Sequence, residues 1–96
     1  MKSKTYKNTA ELAVGLGLSA ERGVVAEMKA KLTKEIIKAI DQKELTHKEV
    51  AELSGVPRSA VTGIINGSLQ KVSIDRLIRI LGTLGRKVEL KVKAAA

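Results

Sequence analysis

The side chains best suited to bind a ligand lie within residues 46–67, which read THKEVAELSGVPRSAVTGIING. Arg58, Ser59 and Thr62 recur there at the spacing of one helix face, and the aliphatic residues between them fall on the opposite face. A guanidinium donates from a rigid fork, and a hydroxyl both donates and accepts. These groups suit the polar edges of nucleic-acid bases, because arginine can bond O6 and N7 of guanine together. We therefore predict that Arg58, Ser59 and Thr62 read bases.

Polar and basic residues that flank the same stretch can bind the phosphates that position such a reader. Ser59 and Thr62 can also bond a phosphate in place of a base edge. Lys48 equally fits an ordinary solvated position, and Arg76 and Arg79 fit surface charge or a dimer contact better than DNA. The predicted phosphate-binding residues are His47, Lys48, Asn66, Ser68 and Lys71.

The side chains needed for a catalytic, metal-binding, cofactor-binding or single-strand-binding site are scarce in this sequence. The chain has one histidine and no cysteine, and its ten acidic residues are scattered among lysines. No GxxxxGK phosphate loop occurs. No aromatic residue lies near the stretch to stack single-stranded bases. We therefore expect no enzyme, no metal site and no cofactor, and we expect double-stranded DNA as the ligand.

Composition agrees with a nucleic-acid partner. The formal net charge is +8 and the pI is about 10.0, which favours binding to a polyanion, either nucleic acid or an acidic membrane, with solubility alone as the alternative. A length of 96 residues fits one small domain, whose core must be aliphatic because only one aromatic residue is present. No apolar run approaches the ~20 residues of a membrane span, and no signal sequence is recognisable. With no cysteine, these features predict a cytoplasmic protein.

A long helix is predicted ahead of the motif. Ser19 is the expected N-cap, and aliphatic residues recur at spacings of three and four as far as Lys43. Lys31 and Glu35 are spaced for an ion pair on the surface of this helix. The pattern therefore predicts an amphipathic helix of up to six turns.

Two short helices joined by a tight turn are predicted within the motif itself. Thr46 and Glu49 have the spacing of a capping box, and Gly55 suits a left-handed turn. Pro57 is tolerated at the start of the second helix. Such a pair is a helix-turn-helix, whose second helix enters the major groove. The predicted buried residues of the first helix are Val50, Ala51 and Leu53, and those of the second are Val61, Ile64 and Ile65.

A final helix and a strand are predicted after the motif. Ser73 is the expected N-cap of the helix, and its expected buried stripe is Ile74, Leu77, Ile78, Leu81 and Leu84. In the following RKVELKVK, apolar and charged residues alternate, which predicts a half-buried strand. A lone strand leaves backbone groups unpaired, so it should pair with a second copy of the chain, with residues 9–14 or with a partner's sheet edge. The dimerisation residues predicted from the first option are Val88, Leu90 and Val92.

These elements divide the chain into three parts. Residues 1–18 form an expected flexible arm whose apolar segment, TAELAVGLGL, docks either on the chain's own core or on another protein. Residues 19–85 form the helical domain, and residues 86–96 form the strand and tail. The predicted fold class is therefore mainly α, with a carboxy-terminal strand that pairs across a dimer.

The motif resembles the DNA-binding helix-turn-helix of the XRE family, the Cro/repressor-like regulators. The usual glutamine at the start of the first motif helix is His47 here, and histidine can also donate to a phosphate. The resemblance implies a lambda-repressor-like domain of four to five helices. It is carried by Leu45, Thr46, His47, Ala51, Gly55, Ser59, Val61, Ile64, Asn66 and Gly67.

Residues 9–93 are also similar to HigA-type antitoxins within that family. The likeness is carried by AELAVGLGL and by SIDRLIRILGTLGRKVELKVK, although Val72 replaces the usual aromatic residue before Ser73. It implies a homodimeric repressor that regulates its own toxin–antitoxin operon and neutralises a small mRNA-cleaving toxin. The alternatives are a stand-alone XRE-family regulator and a protein-interaction module.

Overall fold

Four α-helices make up the fold of residues 20–94. The computed structural model describes residues 20–94. The order is α1 (Ala20–Lys43), α2 (His47–Ser54), α3 (Arg58–Ile65) and α4 (Ile74–Thr83). The prediction of a mainly helical domain is confirmed. The predicted N-cap Ser19 and the arm of residues 1–18 lie outside the described residues.

Helix α1 runs along the domain as one continuous element of 24 residues. Its second half supplies Ile36, Ala39 and Ile40 to the core, because these positions share one face at about 100° per residue. The prediction of an ion pair between Lys31 and Glu35 is wrong. The Lys31 ammonium instead lies 3.4 Å from Glu27, one turn earlier, where a glutamate ahead of a lysine has the better orientation.

The core is aliphatic and is built from all four helices and the α2–α3 turn. Helix α1 packs mainly against α4, while α2 packs on both α3 and α4. Burial of each large aliphatic side chain contributes about 1.5–3 kcal/mol. The buried hydrophobic residues are Ile36, Ala39, Ile40, Val50, Val56, Val61, Ile64, Leu77, Ile80, Leu81 and Leu84.

Two predicted buried residues lie on the surface. Leu53 on α2 is 55% exposed and Ile78 on α4 is 41% exposed. On α4 the buried face instead contains Ile80, which is 1% exposed, because Ile80 lies one turn after Leu77 whereas Ile78 is rotated about 100° away from it. The prediction of burial from apolar residue type was therefore wrong at one position on α2 and at one on α4.

Helix α4 ends in a Schellman motif. Gly85 adopts the left-handed conformation, with φ of 80°. The N–H of Arg86 donates to Leu81 O at 2.9 Å, and that of Gly85 donates to Gly82 O at 3.2 Å. The Arg86 guanidinium also donates to the Gln42 side chain on α1. The chain is thus bonded to α1 at the third residue after the end of α4.

The strand predicted after α4 is not confirmed. Residues 86–94 have neither helix nor strand in the part of the chain that the structure describes. Leu90 and Val92 are 79% and 81% exposed, and Val88 is 39% exposed. A strand is defined by its pairing partner, and a single chain places none beside this segment within residues 20–94. The apolar side chains of the alternating pattern therefore face solvent here.

Candidate nucleic-acid interface

Helix α2 begins with the predicted capping box. The Thr46 hydroxyl accepts from the Glu49 N–H at 3.1 Å, and the Glu49 carboxylate accepts from the Thr46 N–H at 2.9 Å. Hydrogen bonding to the Glu49 carboxylate, first from the Thr46 backbone N–H and second from the Thr46 side chain, lowers the pKa of Glu49 below its ordinary value of 4.5. The box fixes the start of α2, and with it the position of His47, the first residue of that helix.

The turn between α2 and α3 is closed by backbone and hydroxyl hydrogen bonds. Gly55 has the predicted left-handed conformation, with φ of 72°, and its N–H donates to Ala51 O at 2.9 Å. The buried Ser54 hydroxyl donates to Val50 O at 2.7 Å and accepts from the Val56 N–H at 3.2 Å. Sequence reasoning missed Ser54, although serine at a helix end often bonds nearby backbone. The turn therefore sets the angle at which α3 leaves α2.

The polar face of α3 is open to the outside. Arg58 and Ser59 are exposed and Thr62 is half-buried, while Val61 and Ile64 are buried on the opposite side. At about 100° per residue the three polar residues span an arc of roughly 100°. Neither Arg58 nor Ser59 has a side-chain hydrogen bond or ion pair to any other residue that the structure describes. Both side chains are thus available to a ligand.

His47 and Thr62, predicted separately as ligand contacts, touch each other. His47 Nδ1 lies 3.0 Å from Thr62 Oγ1, which joins the first residue of α2 to the middle of α3. The two residues are 15 positions apart, and no local pattern indicated the contact. The predicted phosphate contact and the predicted base reader therefore form one unit.

The other predicted phosphate residues lie at the ends of these helices. Lys48 is exposed in the first turn of α2, and Asn66, Ser68 and Lys71 are exposed in the segment that follows α3. The Ser68 N–H donates to Gly63 O at 2.9 Å, so this segment folds back on the last turn of α3. Exposed polar groups therefore border α3 at its carboxyl end.

Lys29 on α1 holds the segment after α3 in place, a role that sequence reasoning missed. Its ammonium donates to Leu69 O at 3.1 Å and to Gln70 O at 3.5 Å, across 40 or more residues. A groove of about 770 Å³ lies beside this contact, between the first turns of α1 and residues 67–70. The first half of α1 therefore braces the end of the candidate interface.

A family described as helix-turn-helix domain matches residues 17–93, which include all four helices. The chain belongs to this helix-turn-helix family. The match spans the α2–α3 motif and the polar face of α3 described above. No curated protein and no solved structure matches the chain.

The described part of this helix-turn-helix domain has neither a candidate metal site nor a candidate membrane span. Within residues 20–94, no group of histidine, cysteine, aspartate or glutamate side chains could hold a metal ion. No helix in that same range has both the length and the apolar character needed to cross a membrane.

Proposed function

We propose that this protein is a sequence-specific double-stranded DNA-binding repressor that acts as a homodimer. One observation carries the proposal. Arg58, Ser59 and Thr62 form an outward face on the second helix of a helix-turn-helix, and Arg58 and Ser59 have no partner within the described chain. The excess of eight positive charges supports an anionic ligand of this kind. The proposal includes no catalytic activity, no cofactor and a cytoplasmic location.

Each part of the candidate interface has a distinct role in this proposal. Arg58, at the amino end of α3, bonds a guanine through two donors, and Ser59 and Thr62 contact neighbouring base edges. Phosphates on either side of the groove are bound by the polar residues at the helix ends. Those residues are His47, Lys48, Asn66, Ser68 and Lys71.

The test is a selection of bound sequences from random DNA duplexes, followed by affinity measurements on the selected site. Replacement of Arg58 by alanine should weaken binding to that site by about 1–3 kcal/mol and remove the preference at one base pair. The matched control is Arg79→Ala, which removes another exposed arginine, on α4. Equal effects of the two substitutions, or no selected sequence for the wild type, would count against a reading role for α3.

We further propose that the repressor is the antitoxin of a type II toxin–antitoxin operon. Support comes from the resemblance of residues 9–93 to HigA-type antitoxins of the XRE family. The adjacent gene should encode a small ribonuclease-like toxin whose inhibition of growth is relieved when this chain is co-expressed. If the two proteins neither co-purify nor show this relief, the chain is a stand-alone regulator with the same DNA chemistry.

A further inference from the structure

The hydrogen bond between His47 and Thr62 determines what Thr62 can offer to a ligand. The two atoms are 3.0 Å apart, and both side chains are partly buried. Thr62 Oγ1 has no second partner among residues 20–94. A threonine hydroxyl has one hydrogen and two lone pairs, so it ordinarily bonds either donors or acceptors on a base. A fixed hydrogen bond to His47 removes this ambiguity.

The protonation of His47 Nε2, the ring nitrogen that does not contact Thr62, determines which residue donates in the His47–Thr62 hydrogen bond. Nε2 has no partner in the described chain and is not a buried atom. The proposed ligand at this nitrogen is a DNA phosphate, whose oxygens only accept hydrogen bonds, so Nε2 must carry a hydrogen. A neutral imidazole has a single N–H, which leaves Nδ1 as an acceptor. The Thr62 hydroxyl must then donate its single hydrogen to His47 Nδ1.

We propose that His47 makes Thr62 an obligate hydrogen-bond acceptor, so that α3 selects a base with an exocyclic amino group at the position that Thr62 reaches. This inference rests on the proposed function, in which α3 reads double-stranded DNA. Adenine N6 and cytosine N4 are the amino donors in the major groove. Guanine O6 and thymine O4 are acceptors, so their lone pairs would face a lone pair of the Thr62 hydroxyl and be repelled. His47 is therefore a positioning residue that determines specificity without touching the base.

The experiment is a selection from random duplexes with the full 96-residue chain at about pH 8, where histidine is ordinarily neutral. Thr62→Val identifies the position, because it keeps the shape and removes the hydroxyl. His47→Phe keeps a ring and removes both nitrogens. His47→Gln is the conservative variant, since its amide can accept from Thr62 and donate to a phosphate. Circular dichroism and melting temperature verify that each variant folds.

The wild type is expected to favour adenine or cytosine over the other bases by about fivefold at one position. Thr62→Val should lose that preference and no other. His47→Phe should weaken binding to all sequences and also accept guanine or thymine at this position, while His47→Gln retains the wild-type choice. A loss of base preference at this single position would distinguish control of the Thr62 hydrogen bond by His47 from a purely structural role of His47.

Three results would overturn the inference. One is a wild-type preference for guanine or thymine at the position that Thr62→Val affects. Another is an unchanged preference in His47→Phe with uniformly weaker binding, which would leave His47 as a phosphate contact only. The third is the absence of any selected sequence for the wild type, and this result alone would overturn the proposed function as well.

Discussion

Thr46 and Glu49 satisfy backbone N–H groups at the start of α2 that have no partner within the helix. Because the Glu49 carboxylate accepts hydrogen bonds from Thr46 only in the folded chain, its pKa is lowered there. Thr46 and Glu49 lie only three positions apart, so the spacing of the box is visible in the sequence. This pair of residues therefore links the pH of the solution to the stability of α2.

Glu49 should make stability depend on pH below its unfolded pKa. A carboxyl with a depressed folded pKa stabilises the fold above its ordinary value of 4.5, and this contribution is lost as the pH falls through the folded value. Glu49→Gln keeps an acceptor for the Thr46 N–H but does not titrate. We expect the melting temperatures of wild type and variant to differ most near about pH 6 and to converge towards about pH 3. A difference that stays constant over this range would contradict the coupling.

At the scale of elements, the α2–α3 turn depends on one backbone conformation. Gly55 has φ of 72°, and a Cβ added there would meet no atom within 4 Å. Substitution therefore strains the backbone and causes no clash. Gly82 offers a matched comparison, because its surroundings are equally open and it lies within helix α4 with an ordinary φ.

Gly55→Ala should destabilise the domain by about 1–2 kcal/mol, because the left-handed conformation is unfavourable for a residue with a Cβ. Gly82→Ala should instead stabilise it by about 0.5–1 kcal/mol, since alanine loses less conformational entropy in a helix. Urea unfolding of the two variants measures both values. Equal changes of the same sign would mean that backbone conformation at Gly55 does not limit the motif.

At the scale of the whole molecule, positive charge and base reading would make separable contributions to the proposed DNA binding. In that proposal, the predicted phosphate-binding residues act on every DNA sequence alike, whereas the α3 face distinguishes one sequence from another. Lys71 follows α3 and is exposed, with no ion pair in the described part of the chain. It therefore suits a test of the phosphate contribution alone.

Lys71→Ala should weaken binding to selected and unselected duplexes equally. The slope of log affinity against log salt should become shallower by about 1, because one fewer counterion is released per subunit site. Arg58→Ala should change sequence preference instead. Fluorescence anisotropy over a salt series measures both quantities, and an unchanged slope in Lys71→Ala would remove this residue from the interface.

The exposed apolar residues after α4 bear on assembly. Leu90 and Val92 are the most exposed of the large hydrophobic residues that the structure describes. The proposed homodimer buries them by pairing residues 86–93 of two copies, which also satisfies the backbone of each segment. Two recognition helices would then face successive major grooves, about 34–36 Å apart.

Leu90→Asp should convert the dimer into a monomer, because a charge would be buried at the centre of the paired segments. Leu53→Asp is the matched control, since Leu53 is exposed on α2 and is not part of the proposed pairing segment. Sedimentation velocity gives the mass, and circular dichroism shows whether the helices are kept. A Leu90→Asp variant that remains dimeric would exclude pairing through this segment.

The sequence alone determined the features that depend on neighbouring residues. The capping box of Thr46 and Glu49, the cap at Ser73 and the left-handed Gly55 were predicted correctly, because their hydrogen bonds and conformations lie within a few positions of the chain. The helix-turn-helix followed from these local signals. The burial of Val61 and Ile64 followed from the helical period.

Only the tertiary structure decided which pairs of distant groups meet. It paired His47 with Thr62, placed the Lys29 ammonium on Leu69 O, and left Leu53 and Ile78 outside the core. The contacts of His47 and Lys29 depend on how segments distant in the chain pack together, which the spacing of residues within one helix does not encode. The strand predicted after α4 is not confirmed, and it is the same case at a larger scale, because a strand needs a pairing partner that residues 20–94 do not supply.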